Sequence, residues 1–398
     1  MKSNFSKGML MTALVTGTVL CSSAAAFAEE LQEYSLDQMV VTAQRTQKDD
    51  VDTPASVKVI TEKNLTQSGA TNLYDGLKLA NGITSYGYGA NGQAWGGMSA
   101  KILIRGNDKG TLVMIDGAPI NMNNVYFLNT LPVEAVERIE IVKGASSVLY
   151  GSEASSGVIN IITKKQMQNS ISLSKAEYGK TREGVSLGLG KLGIVANLEQ
   201  GDELKGYASN GRAMNDGKKS SVMWKYKFDD KWTVSHQHTD NDYQFNQYDT
   251  ATWKTLKEDS SFKYKEDFAR LQYNDGSLKG NLYYNRSDRH NNTYKIKKGT
   301  ASEWKIEHIT FDTLGLDLQK EFNTKVANII VGTTLEQQTY KCDNPYSGGK
   351  LVNQKLDKDA KTYALFVQAT RDLGNDFTAT IGAREQFLKA NDDYNAFT

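Results

Sequence analysis

Several side chains in this sequence stand where they could do chemistry. His236 and His238 are two residues apart, so on an extended strand both imidazoles share one face. Such a pair can begin a metal or haem site, but no third ligand is evident beside it, and a hydrated strand face, in the lumen should the strands close into a barrel, is the plainer reading. Gly87-Tyr88-Gly89-Ala90-Asn91-Gly92 spells G-x-G-x-x-G. A dinucleotide site needs a core strand before that run and a helix after it, and Gln93-Ala94-Trp95-Gly96-Gly97 starts a helix poorly. Ser146-Ser147 lacks a G-x-S-x-G elbow and a nearby histidine, so acyl-transfer chemistry is unsupported. The catalytic set is empty, which points to a non-enzyme, and no metal ligands are assigned. What remains is a binding chemistry. Tyr86, Tyr88 and Trp95 punctuate a glycine-rich run and offer flat faces to a planar ligand, and Asn121, Asn123 and Tyr126 form a second polar and aromatic run.

The elements that must position these residues follow from composition and pattern. The chain has 398 residues with 47 Lys+Arg against 46 Asp+Glu, a net charge of +1 that argues against a nucleic-acid partner. A mean hydropathy of −0.52 excludes a bundle of membrane helices. Two cysteines exclude a disulfide scaffold, while 34 glycines, 20 tyrosines and only 4 prolines suit long strands. Residues 1–28 have the layout of a secretory signal peptide: Lys2 and Lys7, an apolar run from Gly8 to Leu20, then Ala26-Phe27-Ala28 as the cleavage site. Cleavage there leaves Cys342 as the one cysteine, expected in an outer loop with any partner beyond Thr398.

Residues 29–165 read as a mixed α/β region. Val57–Ile60, Lys101–Ile104, Thr111–Ile115, Ile139–Val142 and Val158–Ile162 are apolar strand runs. Thr61 and Thr71 are expected to cap two short helices, Asp116-Gly117 marks a turn, and Pro132 opens a helical turn. From residue 166 onward apolar residues alternate by two, as in Val222, Trp224, Tyr226, Phe228 and Tyr363, Leu365, Val367. Short turns at Asp229-Asp230, Asp275-Gly276-Ser277 and Leu373-Gly374-Asn375 alternate with long polar segments at 202–216, 242–261, 290–303 and 342–358. That rhythm predicts a membrane β-barrel meander with long outer loops. Tyr178, Phe228, Trp232, Tyr273, Trp304, Tyr340 and Phe377 are expected in its aromatic girdles. About eleven strands are expected between Ser170 and Lys389, an odd and open set that predicts a fragment or one half of a split receptor.

The motifs in 29–165 resemble those of the TonB-dependent outer-membrane receptors. Asp37-Gln38-Met39-Val40-Val41-Thr42-Ala43 is similar to a TonB box. Ile104-Arg105-Gly106, Val113–Gly117, Arg138–Gly144, Ser146–Gly151 and Gly157–Thr163 resemble the family's plug motifs in order and spacing, most like the colicin I receptor and catecholate-siderophore receptor group. The resemblance implies a signal peptide at 1–28, a TonB box and linker at 29–49, a plug domain at 50–165, and at 166–398 the N-terminal half of a transmembrane β-barrel of about 22 strands. It implies import of a ferric siderophore across the cell outer membrane, with no resident cofactor, energised through TonB with ExbB and ExbD. Cobalamin or haem import, or a surface receptor that holds colicin or phage without transport, are the alternatives. Outer-membrane lipid and lipopolysaccharide are the surrounding partners. Asp37, Met39, Val40, Val41, Thr42 and Ala43 would meet TonB, suited to adding a strand to a partner's sheet edge. The two aromatic runs would be apical plug loops that contact ligand, while Arg105, Glu137, Arg138, Glu140, Lys143 and Glu153 would lock plug to barrel through ion pairs.

Overall fold

The structure is a computed structural model that describes residues 40–41, 45, 48–49, 56–70, 72–86, 101–107, 109–121, 128, 131–144, 146–175, 181–201, 212–247, 260–297, 300–347, 350–375, 377–390 and 393–397. The chain enters through β1 (Val40–Val41), which pairs antiparallel with β2 (Lys48–Asp49). Then come β3 (Ser56–Thr61), α1 (Glu62–Ser68), α2 (Leu73–Leu77), β4 (Ile83–Tyr86), β5 (Lys101–Ile104), β6 (Thr111–Ile115) and β7 (Ala118–Pro119). A 3-10 turn at Val133–Ala135 leads into β8 (Val136–Lys143), and α3 (Ser147–Tyr150) precedes β9 (Gly157–Thr163).

These elements have local causes. Thr61 and Asn64 form a reciprocal capping box: the Asn64 N–H donates to Thr61 Oγ1 at 3.2 Å, and the Thr61 N–H donates to Asn64 Oδ1 at 3.0 Å. Gly69, at φ 67°, closes α1 in the left-handed conformation. The cap of α2 is Asn72; Thr71, expected in that role, lies outside the described residues. Asp116 and Gly117 both adopt positive φ, the geometry of a two-residue hairpin turn, and fold β6 back onto β7. The sheet runs β3-β8-β9-β6-β7, with β6 and β9 parallel. Apolar residues cover both of its faces: Ile60, Val113, Ile139 and Ile161 pack with Leu65, Leu73 and Leu77, while Val59, Leu112, Met114 and Val158 pack with Ala154.

Among the described residues twelve strands follow, each antiparallel to the next in chain order. They are β10 (Ser170–Lys175), β11 (Thr181–Leu189), β12 (Leu192–Gly201), β13 (Arg212–Lys227), β14 (Trp232–Gln247) and β15 (Ser260–Asn274), then β16 (Leu278–Lys297), β17 (Thr300–Asn323), β18 (Asn328–Ser347), β19 (Lys350–Gly374), β20 (Phe377–Lys389) and β21 (Asp393–Phe397). The tight turns are made by acidic residues that satisfy loose backbone N–H groups. Asp229 Oδ1 accepts from Trp232 at 2.7 Å and Lys231 at 2.8 Å, and Asp275 Oδ1 accepts from Leu278 at 2.7 Å and Ser277 at 3.0 Å. Those backbone hydrogen bonds hold both carboxyls below the usual carboxylate range.

Side chains of this sheet are sorted in reverse of a soluble protein. The buried face is rich in polar groups: Ser235, Gln237, Thr239, Asn285, Ser287, Thr313, Asp317 and Gln319 all point inward, among buried rings such as Phe262, Phe268 and Tyr283. The exposed face is apolar: Val222, Leu282, Leu314, Val331, Leu365 and Ile381 lie open, Ile381 at 77%. A contiguous exposed apolar band fits hydrocarbon rather than water. No helix among the described residues is long and apolar enough to cross a membrane. Gly315 has a packing reason, because a Cβ there would lie 2.1 Å from the ring of the inward Tyr283 directly opposite it.

Three expectations are corrected. The polar segments at 290–303 and 342–358 are largely strand, since β16, β17, β18 and β19 run on through them and β19 reaches 25 residues, and β14 runs on to Gln247 at the start of the segment 242–261, of which residues 248–259 lie outside the described residues. About 9–11 residues cross a bilayer, so these strands continue far past it, and beyond the apolar band the outward face turns polar, as at Lys263, Lys265 and His290. Cys342 is buried within β18 rather than in a loop. Tyr340 packs edge-on against Phe311 on the inner side and takes no part in a girdle, whereas Trp232 and Tyr273 meet at a tilt of 57° with ring centroids 4.8 Å apart beside the short turns. Tyr178 lies outside the described residues.

If the outer band faces hydrocarbon, an outward leucine between outward leucines is costly to charge. Leu282 is opposite Leu271 and Leu316. Leu282→Arg is expected to cost about 2–4 kcal/mol of folding stability in lipid vesicles. Guanidinium titration reads this, and a variant as stable as the parent would contradict the outward assignment.

Candidate functional site

The site lies where the small sheet meets the inner wall of the large one, and its centre is Arg45. This residue sits between β1 and β2 with φ 67° and is buried. Its guanidinium grips Asp317 of β17 with both arms, Nη1 to Oδ1 at 2.5 Å and Nη2 to Oδ2 at 2.8 Å. Nη1 also reaches Gln319 Oε1 at 3.2 Å. The Arg45 carbonyl accepts from Gln319 Nε2 at 2.7 Å and Lys279 Nζ at 3.0 Å. The Tyr150 and Phe366 rings close over the cation at 4.4 Å and 4.5 Å. Thr334 Oγ1 donates to Asp317 Oδ2 at 2.9 Å and fixes that carboxylate. Side chain and backbone of one residue are thus fastened to two barrel strands, with a ring from the plug and a ring from β19 around them.

Two further anchors seat the plug. The Asp116 carboxylate takes the Thr163 N–H at 2.8 Å and hydroxyl at 2.6 Å, and Lys225 of β13 lies 3.4 Å from it. Gln272 and Asn285 donate to the carbonyls of Asp116 and Pro119 at 2.8 Å and 2.9 Å. At the other flank Glu134 receives Arg182 at 2.7 Å, Asn197 at 3.1 Å and Ser172 at 3.3 Å. Burial works against the Glu134 charge, but the Arg182 hydrogen bond and charge, with the Asn197 amide, outweigh it and hold the carboxyl below its ordinary range. A crevice of about 420 Å³ runs along the seam between Arg45, Asp116, Lys225 and Gln272.

The residues singled out from sequence fall as follows. Val40 and Val41 form β1; Asp37, Met39, Thr42 and Ala43 lie outside the described residues. Tyr86 ends β4, and Tyr88, Trp95, Asn123 and Tyr126 lie outside the described residues. Asn121 is not presented to a ligand: it is buried, with Oδ1 accepting from the Val113 N–H at 2.8 Å and Nδ2 donating to the Thr111 carbonyl at 3.0 Å. Arg138 pairs within its own strand, with Glu140 at 2.8 Å and with Glu137. Lys143 donates to the Asn81 carbonyl, and Arg105 is exposed in the turn after β5 with its N–H on the Gly82 carbonyl at 2.9 Å. Glu153 follows α3 in a 3-10 turn. Among the described residues, Arg45, Asp116 and Glu134 make charged contacts from plug to barrel, a role that sequence reasoning did not assign to them. His236 and His238 face outward, not into the lumen, and a third group does accompany them: Asp267 Oδ1 lies 3.1 Å and 2.8 Å from their ring nitrogens.

Residues 49–158 match the family model of the TonB-dependent Receptor Plug Domain. A vitamin B12 transporter, BtuB, of Vibrio cholerae is 33% identical over 250 residues, covering 57% of this chain and 39% of that protein. BtuB of Vibrio vulnificus is 24% identical over 404 residues, covering 98% of this chain and 63% of that protein. The chain therefore spans less than two thirds of the length of these curated relatives. The pyoverdine outer-membrane receptor FpvA of Pseudomonas aeruginosa superposes with a TM-score of 0.65 at 17% identity, over 90% of this chain and 60% of that one. The ferric yersiniabactin uptake receptor FyuA of Yersinia pestis gives 0.62 at 15% identity, over 86% and 60%. At such identities the two structures share the fold: a plug followed by barrel strands.

Two outcomes test the seam. Asp317→Asn leaves the Arg45 cation buried without its counter-charge, a loss of about 3–5 kcal/mol for a broken buried pair. Hydrogen exchange over residues 40–49 should then quicken while β16 and β17 stay protected; unchanged exchange would show that Arg45 does not hold the segment. Glu134 has its folded carboxyl lowered, so its contribution is present above the ordinary glutamate pKa and is lost as pH falls through the lowered value. Plug release measured from neutral pH downward should show an acid limb that Glu134→Gln flattens, and an identical limb in the variant would count against this anchor.

Proposed function

From a chain whose residues 49–158 are a TonB-dependent receptor plug domain, we propose TonB-gated import of a scarce metal chelate across the outer membrane. The observation that carries this reading is the Arg45 clamp. The run resembling a TonB box ends at Ala43, two residues before the arginine that ties the N-terminal segment to the barrel wall. A strand added to Met39–Ala43 by TonB and pulled inward loads Arg45 before any other anchor of the plug. While Asp317, Gln319 and Lys279 hold, the plug stays seated; once they yield, force passes to the Asp116 and Glu134 anchors. ExbB and ExbD, drawing on the inner-membrane proton gradient, supply the work. The signal-peptide pattern at 1–28 and the outward apolar band both support a place in the outer membrane, among lipid and lipopolysaccharide.

A ferric siderophore is the first ligand on this reading, bound at the outer side by the aromatic run around Tyr86, Tyr88 and Trp95. Cobalamin is the second, favoured by the curated relatives, which are named as vitamin B12 transporters. Cells carrying or lacking the gene are compared for uptake of radiolabelled ferric siderophores and radiolabelled cobalamin. Gene-dependent uptake of one class assigns the ligand, and uptake equal in both strains for both classes would refute import. Deleting Met39–Ala43 is expected to abolish uptake while leaving ligand binding at the cell surface intact.

A further inference from the structure

The four histidines of this chain are gathered into two carboxylate-centred pairs on the outer face of the sheet, and one of these has the geometry of a metal site. His290 of β16 and His308 of β17 stand directly opposite each other in the antiparallel register. Their rings stack with centroids 3.9 Å apart and an interplanar angle of 16°. Asp288, two residues before His290 and therefore on the same face, places Oδ1 3.2 Å from His290 Nε2 and 2.9 Å from His308 Nε2. All three candidate ligand atoms lie within 4.8 Å of one another. We propose that Asp288, His290 and His308 bind a divalent transition-metal ion, such as zinc, on the outer surface of the barrel.

Donor type and placement both support this. Two imidazoles and one carboxylate are a set that zinc, copper or nickel takes, whereas magnesium and calcium prefer oxygen ligands throughout. An ion drawn in among Oδ1 and the two Nε2 atoms would replace the present carboxylate–imidazole contacts with bonds of about 2.0–2.2 Å. Arg286 approaches the other oxygen of Asp288 at 3.9 Å and orients the carboxylate from outside the site. Across the sheet the neighbours are charged in alternation. Lys263 stands opposite His290 and pairs with Asp242 at 3.1 Å, and Asp343 stands opposite His308 and pairs with Lys355 at 3.5 Å. Asp343 is thus one strand away as a fourth donor. An open groove lined by Lys263, His290, His308, Asp343 and Lys355 gives an ion and its waters access.

The height of the site also fits. Asp288 is ten residues along β16 from Leu278 at the short-turn end, roughly 25 Å at ordinary strand rise and tilt, which is the outer border of an apolar band. The ion would staple β16 to β17 just above the hydrocarbon, on the strand pair whose other ends hold Lys279 and Asp317 for Arg45. The second trio, His236, His238 and Asp267, lies fewer residues from its own turn and is flanked by outward Val234 and Trp224. That trio is the internal control.

The test uses the full chain folded in detergent, stripped of metal with a chelator and titrated with zinc by calorimetry and with cobalt by visible absorption. One ion per chain is expected, with a cobalt spectrum showing nitrogen ligation. His290→Ala and His308→Ala should each weaken binding at least tenfold, Asp288→Asn should weaken it by a similar factor, and His236→Ala with His238→Ala should leave it unchanged. If a variant fails to fold, judged by loss of heat-modifiable gel mobility, His308→Gln replaces it. Parent protein that takes up no ion, or the same affinity in the His290→Ala/His308→Ala double variant, would overturn the proposal. Loss of the ion with the His236/His238 variants instead would overturn it equally. None of these readouts depends on TonB or on transport.

Discussion

A sheet that faces hydrocarbon on its outside must face something polar on its inside, and the rest of this structure answers that constraint. No backbone group can go unpaired in lipid, so the strands run antiparallel in unbroken chain order. Across the apolar band their outward side chains are apolar, and their inward ones are largely Ser, Thr, Asn, Gln, Asp, Glu and Arg, with buried rings such as Phe262, Phe268 and Tyr283 among them. Such an inner wall is stable only if its polar groups find water or partners. The plug brings partners of two kinds: side chains such as Asp116 and Glu134, and carbonyls such as those of Arg45, Pro119 and Leu149, which accept from Gln319, Asn285 and Arg384. The plug is therefore held by directional bonds as well as by apolar contact, since its core is continuous with wall residues such as Val195, Met223, Phe262 and Phe268, and Leu149 packs on Ile330 and Phe366.

The polar part of the seam can be firm at rest and still yield. Apolar burial resists separation in proportion to area, but hydrogen bonds and ion pairs at a wet seam exchange for water. Among these polar fastenings Arg45 is enclosed, its cation lying against Tyr150 and Phe366 and held by two arms. An enclosed pair is costly to break singly and has little grip once water enters. A two-state fastening of that kind, placed beside the segment that a partner would pull, gives a seated plug and a released one with little between.

The small sheet was legible in sequence because it has the periodicity of an ordinary core. The apolar runs of β6, β8 and β9 and the Asp116-Gly117 turn stand where residue type placed them. The lower halves of the barrel strands were legible by alternation. Their upper halves were harder to read, because above the apolar band the outward residues turn polar, as at Lys263, Lys265 and His290, and the inward ones mix polar groups with rings such as Phe262 and Tyr264, so the hydrocarbon-facing signal is lost although the strand continues. Arg45 was illegible for another reason: its partner Asp317 lies 272 residues away, and Gln44-Arg45-Thr46 resembles any linker. A signal existed in β17, where Asp317 and Gln319 break polar between Leu316 and Leu318 on the inward phase. The same phase argument places His236 and His238 with Trp232 and Val234 on the outside. Asn121 was misjudged because its amide is consumed by the backbone of Thr111 and Val113, a local bond that residue type alone does not reveal.

The account rests on Arg45 being the fastening that gives way first. The most direct measurement is a spin-label distance between Val41→Cys and Asp230→Cys in the barrel turn, taken on the protein in native outer membranes with and without the periplasmic domain of TonB and ligand. The account predicts one narrow distance at rest and a broad, longer distribution when both are added, with the Asp317→Asn background already broad at rest. A narrow distance that persists in the Asp317→Asn background would contradict it, because the segment would then be held by something other than this pair.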